Sequence, residues 1–207
     1  MSEKGRVEAF SDGVFAIAIT LLVLEIHVPD IEPGSSLWVA LGHEWPSYFA
    51  YVVGFLVIGV MWLNHHTTFS YLAQVDRPLL QLNLLLLLAI SAVPWPVELV
   101  ARYLDRGSQA SVAVAVLGLL MTAMSIAFTA FWQYATRHPG LLRDDVDVSS
   151  VMGGRVRFAL GLVAYPALTG LAFVSAPVTL ALHGVLALYY AFDQTATRRA
   201  KALAERA

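Results

Sequence analysis

The sequence predicts an all-α membrane protein with six transmembrane helices in a single domain. Of its 207 residues, 58% are hydrophobic and only 14% are charged, against roughly 45–50% and about 25% in soluble domains. A chain this short cannot hide so much apolar surface in its own core. The second observation is that apolar runs of about 20 residues, the length that crosses the hydrocarbon core of a bilayer, recur along the chain.

These runs divide the domain, residues 1–207, into six predicted helices. They cover approximately residues 8–28, 48–71, 79–100, 110–135, 156–175 and 178–195. Pro29 ends the first helix. The third contains Pro94 and Pro96, which neighbouring helices can accommodate in a membrane, although the pair can also break the helix.

Two of the connections are informative. The join Ser175-Ala176-Pro177 is so short that the fifth and sixth helices must form a tight hairpin. Between the first and second helices, the segment 37–41 predicts a short helix at the membrane interface. Trp38 and Trp45 suit the depth of the lipid headgroups there.

The basic residues predict the orientation. With six spans and a cytoplasmic N-terminus, eleven of the 13 Lys and Arg residues lie inside, and only Arg102 and Arg106 lie outside. This positive-inside asymmetry places both termini in the cytoplasm. The net charge of −2 gives no electrostatic case for binding nucleic acid. The absence of cysteine excludes disulfides and thiolate metal sites.

The first helix carries a stripe of residues on one face. The stripe follows the helical repeat and consists of Gly13, Ile17, Thr20, Leu21, Leu24 and Val28. Both faces of a membrane helix are apolar, so the repeat alone does not separate a lipid-facing stripe from a pore-facing one. The Thr20 hydroxyl can bond to its own backbone, or several copies around an axis can offer oxygens to a partly dehydrated cation.

Polar residues inside the spans are expected to make specific contacts. Arg6 and Asp12 are six apart, which places them on different helical faces, so each is expected to reach another helix. Asn83 is expected to bond across helices. His65 and His66 are adjacent and point about 100° apart on a helix, so we predict that they do not chelate a metal ion.

Two segments resemble a known family. The sequence Arg6-x-x-x-Phe10-Ser11-Asp12, continued by GVFAIAITLLVLEI, is similar to the first-helix signature of the transmembrane-protein-175 family, the endolysosomal potassium channels. The segment Trp62-x-x-His65-His66-x-x-Phe69 also resembles the family pattern. The resemblance implies a bacterial member with one six-helix repeat that assembles as a homotetramer around the first helix.

The resemblance also assigns roles to residues of the pore helix. It implies that Ile17 forms a hydrophobic constriction, that Thr20 shapes selectivity during transit of potassium, and that Leu21 and Leu24 face the pore. A further group is implied to bridge helices behind the pore, namely Arg6, Phe10, Ser11, Asp12, Trp62, His65 and His66.

The predicted function is therefore a potassium-selective channel in the inner (plasma) membrane, with potassium as the permeant ion and no cofactor. The sequence contains no Thr-Val-Gly-Tyr-Gly filter and no GxxxxGK[ST] loop, so selectivity arises without a carbonyl cage and flow is passive. The sequence contains no HExxH or similar catalytic motif that would favour an enzyme. A secondary or proton-coupled transporter is the main alternative, and a structural subunit without transport is another.

Overall fold

The structure is a computed structural model that describes residues 2–30, 34, 36–146 and 154–204. In 154–159 and 192–204 only the backbone is described. The connection between the fourth and fifth predicted helices, residues 136–155, therefore lies partly outside the described residues. Within the described part the regular structure is helical, apart from one isolated antiparallel bridge between Leu72 and Leu142. The prediction of an all-α chain is confirmed for this part.

The helices follow one another along the chain with short connections. They are α1 (Glu3–Leu21, continued by the 3-10 turn Leu22–Glu25), α2 (Leu37–His43), α3 (Trp45–Tyr71), α4 (Arg77–Ser91), α5 (Pro94–Tyr103), α6 (Ser108–Arg137, followed by the 3-10 turn Pro139–Leu141), α7 (Gly154–Leu171) and α8 (Ala176–Ala204). The tight hairpin predicted at residues 175–177 is present between α7 and α8, but its connection is residues 172–175, because Ala176 and Pro177 already lie in the first turn of α8.

Four stretches are long and apolar enough to cross a membrane. They are Glu3–Glu25, Trp45–Tyr71, Arg77–Tyr103 and Ser108–Arg137. The last two helices contribute shorter apolar segments, Leu160–Leu171 and Ala176–Ala191. The short helix predicted near residues 37–41 is present as α2, and its Trp38 is 85% exposed, as expected for a side chain at a membrane interface.

Helix α1 begins with a side-chain cap and buries one face. The Ser2 hydroxyl accepts a hydrogen bond from the Gly5 N–H at 3.2 Å, which satisfies one of the unpaired donors of the first turn. Ser11, Phe15 and Ala18 are buried, and Leu22 continues the same face. Because these residues repeat at intervals of three and four, they form one stripe, along which α1 packs on α3 and α4.

The third predicted helix is broken between α4 and α5. Proline has no N–H, so Pro94 cannot donate to the carbonyl of Ile90. That carbonyl accepts a hydrogen bond from the Val93 N–H instead, at 3.1 Å. Pro94 then begins α5, in the first helical turn, where the missing donor costs nothing. The two helices together still form a stretch long enough to span the bilayer.

The remaining helices pack around α3 and α6. Helix α6 contacts α4, α5, α7 and α8, and α3 contacts α1, α5 and α8. Most buried hydrophobic side chains form one continuous core between these helices. A second, smaller cluster, which includes Phe69, Leu79, Phe131 and Leu141, lies at the end of the bundle where α1 begins. We call this the proximal end.

Three segments distant in sequence are tied together at the proximal end. The Ala73 N–H donates to the Leu141 carbonyl at 2.8 Å, and the Arg143 N–H donates to the Tyr71 carbonyl at 3.0 Å. The Lys4 ammonium at the start of α1 donates to the Leu72 carbonyl at 2.7 Å. We call this arrangement (Lys4, 71–73 and 141–143) the proximal clasp.

The close approach of α6 and α7 leads to a first prediction. A Cβ added at Gly118 would overlap the Thr169 hydroxyl and lie 3.2 Å from the Thr169 Cα. Backbone cannot move aside as a flexible side chain can, so Gly118→Ala should lower the free energy of unfolding by about 1–3 kcal/mol. Thermal unfolding of the purified protein measures this.

The control is Gly170→Ala on α7, because a Cβ at Gly170 meets nothing within 4 Å. In the interior of a helix alanine is favoured over glycine by up to about 1 kcal/mol, so this variant should unfold at the same temperature as the wild type or a higher one. Equal stability of Gly118→Ala and the wild type would show that α6 and α7 can separate without loss.

Candidate pore helix and its bracing contacts

The face of α1 that does not pack on the subunit is apolar. Ile17, Leu21 and Leu24 are 63%, 42% and 69% exposed, and Gly13 on the same face has open space where a Cβ would lie. These residues belong to the stripe identified from the helical repeat. Within one subunit, therefore, the stripe lies opposite the buried face of Ser11 and Phe15 and is available to lipid, water or other subunits.

Thr20 lies on the exposed side of α1, and its hydroxyl donates to its own helix. Its Oγ1 lies 2.8 Å from the carbonyl oxygen of Ala16 and 2.9 Å from that of Ile17. This is the backbone bond that the sequence allowed as one of two interpretations. The bond uses the hydroxyl proton and leaves oxygen lone pairs unused, so the oxygen of Thr20 remains able to accept a cation.

A buried chain of hydrogen bonds joins α1 to α4 and α3. The Asn83 side chain is central to it. Its Nδ2 donates to the Ser11 Oγ at 3.0 Å, and its Oδ1 accepts from the His65 Nε2 at 2.9 Å. The Ser11 hydroxyl in turn donates a hydrogen bond to the Val7 carbonyl at 2.9 Å. All three side chains are buried, where hydrogen bonds fix geometry because an unpaired group is costly.

His65 is also enclosed by aromatic rings. Its ring centroid lies 4.5 Å from that of Phe69, 5.2 Å from that of Phe15 and 6.3 Å from that of Phe131. The second ring nitrogen, Nδ1, has no hydrogen-bond partner among the described residues. The imidazole is thus held by one directed bond and by packing, and it fills the space between α1, α3 and α6.

Two further contacts join α1 to α3 closer to the surface. The Trp62 Nε1 donates to the Asp12 Oδ1 at 2.9 Å. The Glu8 carboxylate lies 3.5 Å from the His66 Nδ1, and the Trp62 and His66 rings stack with centroids 5.7 Å apart. Asp12 therefore reaches another helix, as expected from its position, and the adjacent histidines serve different partners.

Most of the residues singled out in the sequence as helix-bridging lie at the junction of α1 with its neighbours. Ser11, Asp12, Trp62, His65 and His66 make the contacts above, whereas Arg6 and Phe10 are exposed on the first turns of α1. Asn83 was expected to bond across helices but was not counted in this group. The signal for it was an amide between leucines near the start of an apolar run.

The arrangement amounts to a helix held firmly on one side and free on the other. Buried bonds and aromatic packing fix α1 against α3 and α4 near its start, and the stripe from Gly13 to Leu24 faces outward. Such a helix can line a space between several copies of the subunit, and no reacting group is placed on that face.

Comparisons with known proteins point to one family. The sequence profile of the family described as endosomal/lysosomal potassium channel TMEM175 matches residues 6–94. A potassium channel of Streptomyces collinus is 58% identical over 194 residues, which cover 94% of both chains. The human endosomal/lysosomal proton channel TMEM175 is 32% identical over 182 residues, 83% of this chain and 36% of the human protein.

A solved structure agrees with the sequence relatives. The crystal structure of a lysosomal potassium-selective channel TMEM175 homolog from Chamaesiphon minutus superimposes with a TM-score of 0.84 at 39% sequence identity. The match covers 93% of this chain and 98% of that one. With its apolar helices of membrane-spanning length, the chain is a multi-pass membrane protein that belongs to the TMEM175 channel family.

Proposed function

We propose that this chain is one subunit of a potassium-selective channel whose pore is lined by α1. The observation that carries the proposal is the exposed apolar stripe of Ile17, Leu21 and Leu24 on a helix whose other face is fixed by buried hydrogen bonds. A homotetramer would bring four such stripes together around an axis. The stripe would then face the ion path rather than lipid.

In the proposed pore, Ile17 forms the hydrophobic constriction. A ring of isoleucine side chains excludes water when it is narrow and conducts when it widens. The oxygen of Thr20, one turn further along, is positioned to assist a partly dehydrated potassium ion, and Leu21 and Leu24 continue the wall. Selectivity would arise without a ring of backbone carbonyls, and flow would be passive, with no cofactor.

The proposed membrane arrangement has six spans in the inner membrane, with both termini in the cytoplasm. The asymmetry of eleven basic residues against two supports it. The proximal end of the bundle is then the cytoplasmic end. The two shorter apolar segments in α7 and α8 complete the count of six, and their tight hairpin places its turn on the outer side.

The names of the relatives support potassium as the permeant ion. The Streptomyces protein is named a potassium channel and the Chamaesiphon structure is titled potassium-selective. A transporter is the alternative, because the α4–α5 break resembles the interrupted helices found in carriers. Saturable flux driven by a proton gradient would favour the carrier, and unitary current steps would favour the channel.

The experiment is a flux assay in liposomes that contain the purified protein. A potassium gradient should drive flux that continues without a proton gradient, and replacing potassium by sodium should reduce it. Single-channel recording in a planar bilayer should show discrete current steps. Absence of cation flux from correctly assembled protein would contradict the proposal and favour a structural subunit.

A further inference from the structure

A cavity lies inside the subunit, away from the proposed pore. It lies between α3, α6, α7 and α8, is partly open to the surface of the subunit, and is lined mainly by apolar side chains, with five polar residues among them. The polar residues are Asn64, Ser125, Thr129, Tyr165 and Tyr190. The volume of the cavity is about 40 Å³, and one water molecule needs roughly 10–15 Å³.

The Thr129 hydroxyl in this cavity makes no hydrogen bond to the part of the chain that the structure describes. Thr129 is 8% exposed, and its Oγ1 has no hydrogen-bond partner among the described residues. On the same helix, the hydroxyls of Thr122 and Thr136 donate to the carbonyls of Gly118 and Trp132 at 2.8 and 2.9 Å. A buried hydroxyl without a partner is unfavourable, so Thr129 is ready to bond with a molecule that enters the cavity.

A glycine allows two hydroxyl groups to approach α7 closely at the edge of the cavity. A Cβ at Gly161 would lie 2.6 Å from the Ser125 Oγ and 3.3 Å from the Tyr190 hydroxyl. Because glycine has no side chain, both hydroxyls can lie against α7 at the edge of the cavity. An apolar space with a few convergent hydroxyls suits a small molecule that is apolar at one end and carries a hydroxyl at the other.

We propose that this cavity binds short-chain alcohols of two or three carbons, with the hydroxyl of the alcohol bonded to Thr129, and that the bound alcohol lowers ion flux. A molecule of this size matches the small volume of the cavity. The mostly apolar lining favours the carbon chain over a cluster of water molecules, since water needs two to four polar partners each. The effect on flux rests on the proposed channel function, whereas binding does not.

Helix α3 connects the cavity mechanically to α1, the proposed pore helix. Val57, Val60 and Met61 of α3 line the cavity, while Trp62 and His65 of the same helix hold α1 and α4. A guest that fills the space behind α3 raises the packing density there. This filling opposes any displacement of α3 that α1 needs in order to widen the pore.

The binding test uses 2-bromoethanol, because bromine scatters X-rays anomalously and can be located in soaked crystals. A bromine peak is expected in the cavity of the wild type. Thr129→Val keeps the shape of the side chain and removes the hydroxyl, so its occupancy should require about fivefold more alcohol, the effect of one neutral hydrogen bond. Thr129→Ser keeps the hydroxyl and should restore binding.

The functional test measures potassium flux in liposomes against alcohol concentration. Half-inhibition of Thr129→Val should require about fivefold more 2-bromoethanol than half-inhibition of the wild type. Thr122→Val is the matched control, since Thr122 lies two turns away on α6 and does not line the cavity. It should respond as the wild type does, and any effect of alcohol on the bilayer is common to all variants.

The outcomes separate the site from the channel. No bromine peak in the cavity, or equal occupancy in the wild type and Thr129→Val, would overturn the binding site. A peak with identical inhibition of all variants would overturn the link to α3 and assign inhibition to the bilayer. A peak in a protein that shows no flux without alcohol would support the site and contradict the proposed channel function.

Discussion

Ile17→Asn should make the protein leak. If Ile17 forms the constriction, an asparagine at each copy supplies hydrogen-bonding groups that hold water where isoleucine excludes it. Lowering the free-energy barrier to ion permeation by about 1.4 kcal/mol raises the rate tenfold. Several asparagines around one axis should together lower the barrier by at least that amount. Potassium flux in liposomes should therefore increase about tenfold or more, and sodium flux should increase by a larger factor.

Leu119→Asn is the matched control for this experiment. Leu119 on α6 is 60% exposed, close to the 63% of Ile17, and it lies on a different helix. If Ile17 only faces lipid, the two variants should behave alike and neither should change the ratio of sodium to potassium flux. That result would remove α1 from the lining of the pore, whatever the total flux.

The second large effect is expected on stability, for Asn83→Ala. The substitution leaves the His65 Nε2–H without its acceptor in a fully buried position. It also removes the amide that donates to Ser11. Loss of a buried donor's partner together with the space left by the amide should lower the free energy of unfolding by about 2–3 kcal/mol. Thermal unfolding in detergent should show a midpoint lower by about 5–10 °C.

Ser91→Ala tests whether this loss is specific. Ser91 is on the same helix, is exposed, and donates only to the nearby Leu88 carbonyl among the described residues, so its removal should change stability by less than about 0.5 kcal/mol. A midpoint for Asn83→Ala that matches that of Ser91→Ala would mean that the buried chain contributes geometry but no net stability.

Local rules were enough for the all-α class and for the expectation that Pro94 and Pro96 can break the third predicted helix. Hydrophobic runs predicted the all-α class, and the missing N–H of Pro94 is a property of one residue that acts within one turn. The stripe on α1 was also found from the repeat alone. Its surroundings could not be found in that way, because a membrane helix is apolar on all sides and only the packing of α3 and α4 shows which face is left uncovered.

The bracing contacts depend on information that a local pattern does not contain. Ser11 and Asn83 are 72 positions apart and His65 is 18 positions from Asn83, so their meeting depends on the relative heights of three helices. The cavity at Thr129 is harder still to predict. It exists because side chains from four helices do not quite fill the space between them, and no single segment records that mismatch.

The proximal clasp has a consequence for how the protein is made. Lys4 is anchored to the carbonyl of Leu72, and the neighbouring carbonyl of Tyr71 accepts a hydrogen bond from the Arg143 N–H. During synthesis the first three long helices emerge well before residues 141–143, so the part of the clasp that pairs 71–73 with 141–143 cannot form until the fourth long helix is complete. A nascent chain released before that point would lack the backbone bonds on either side of Leu72, so the turn after α6 completes the proximal clasp during biogenesis.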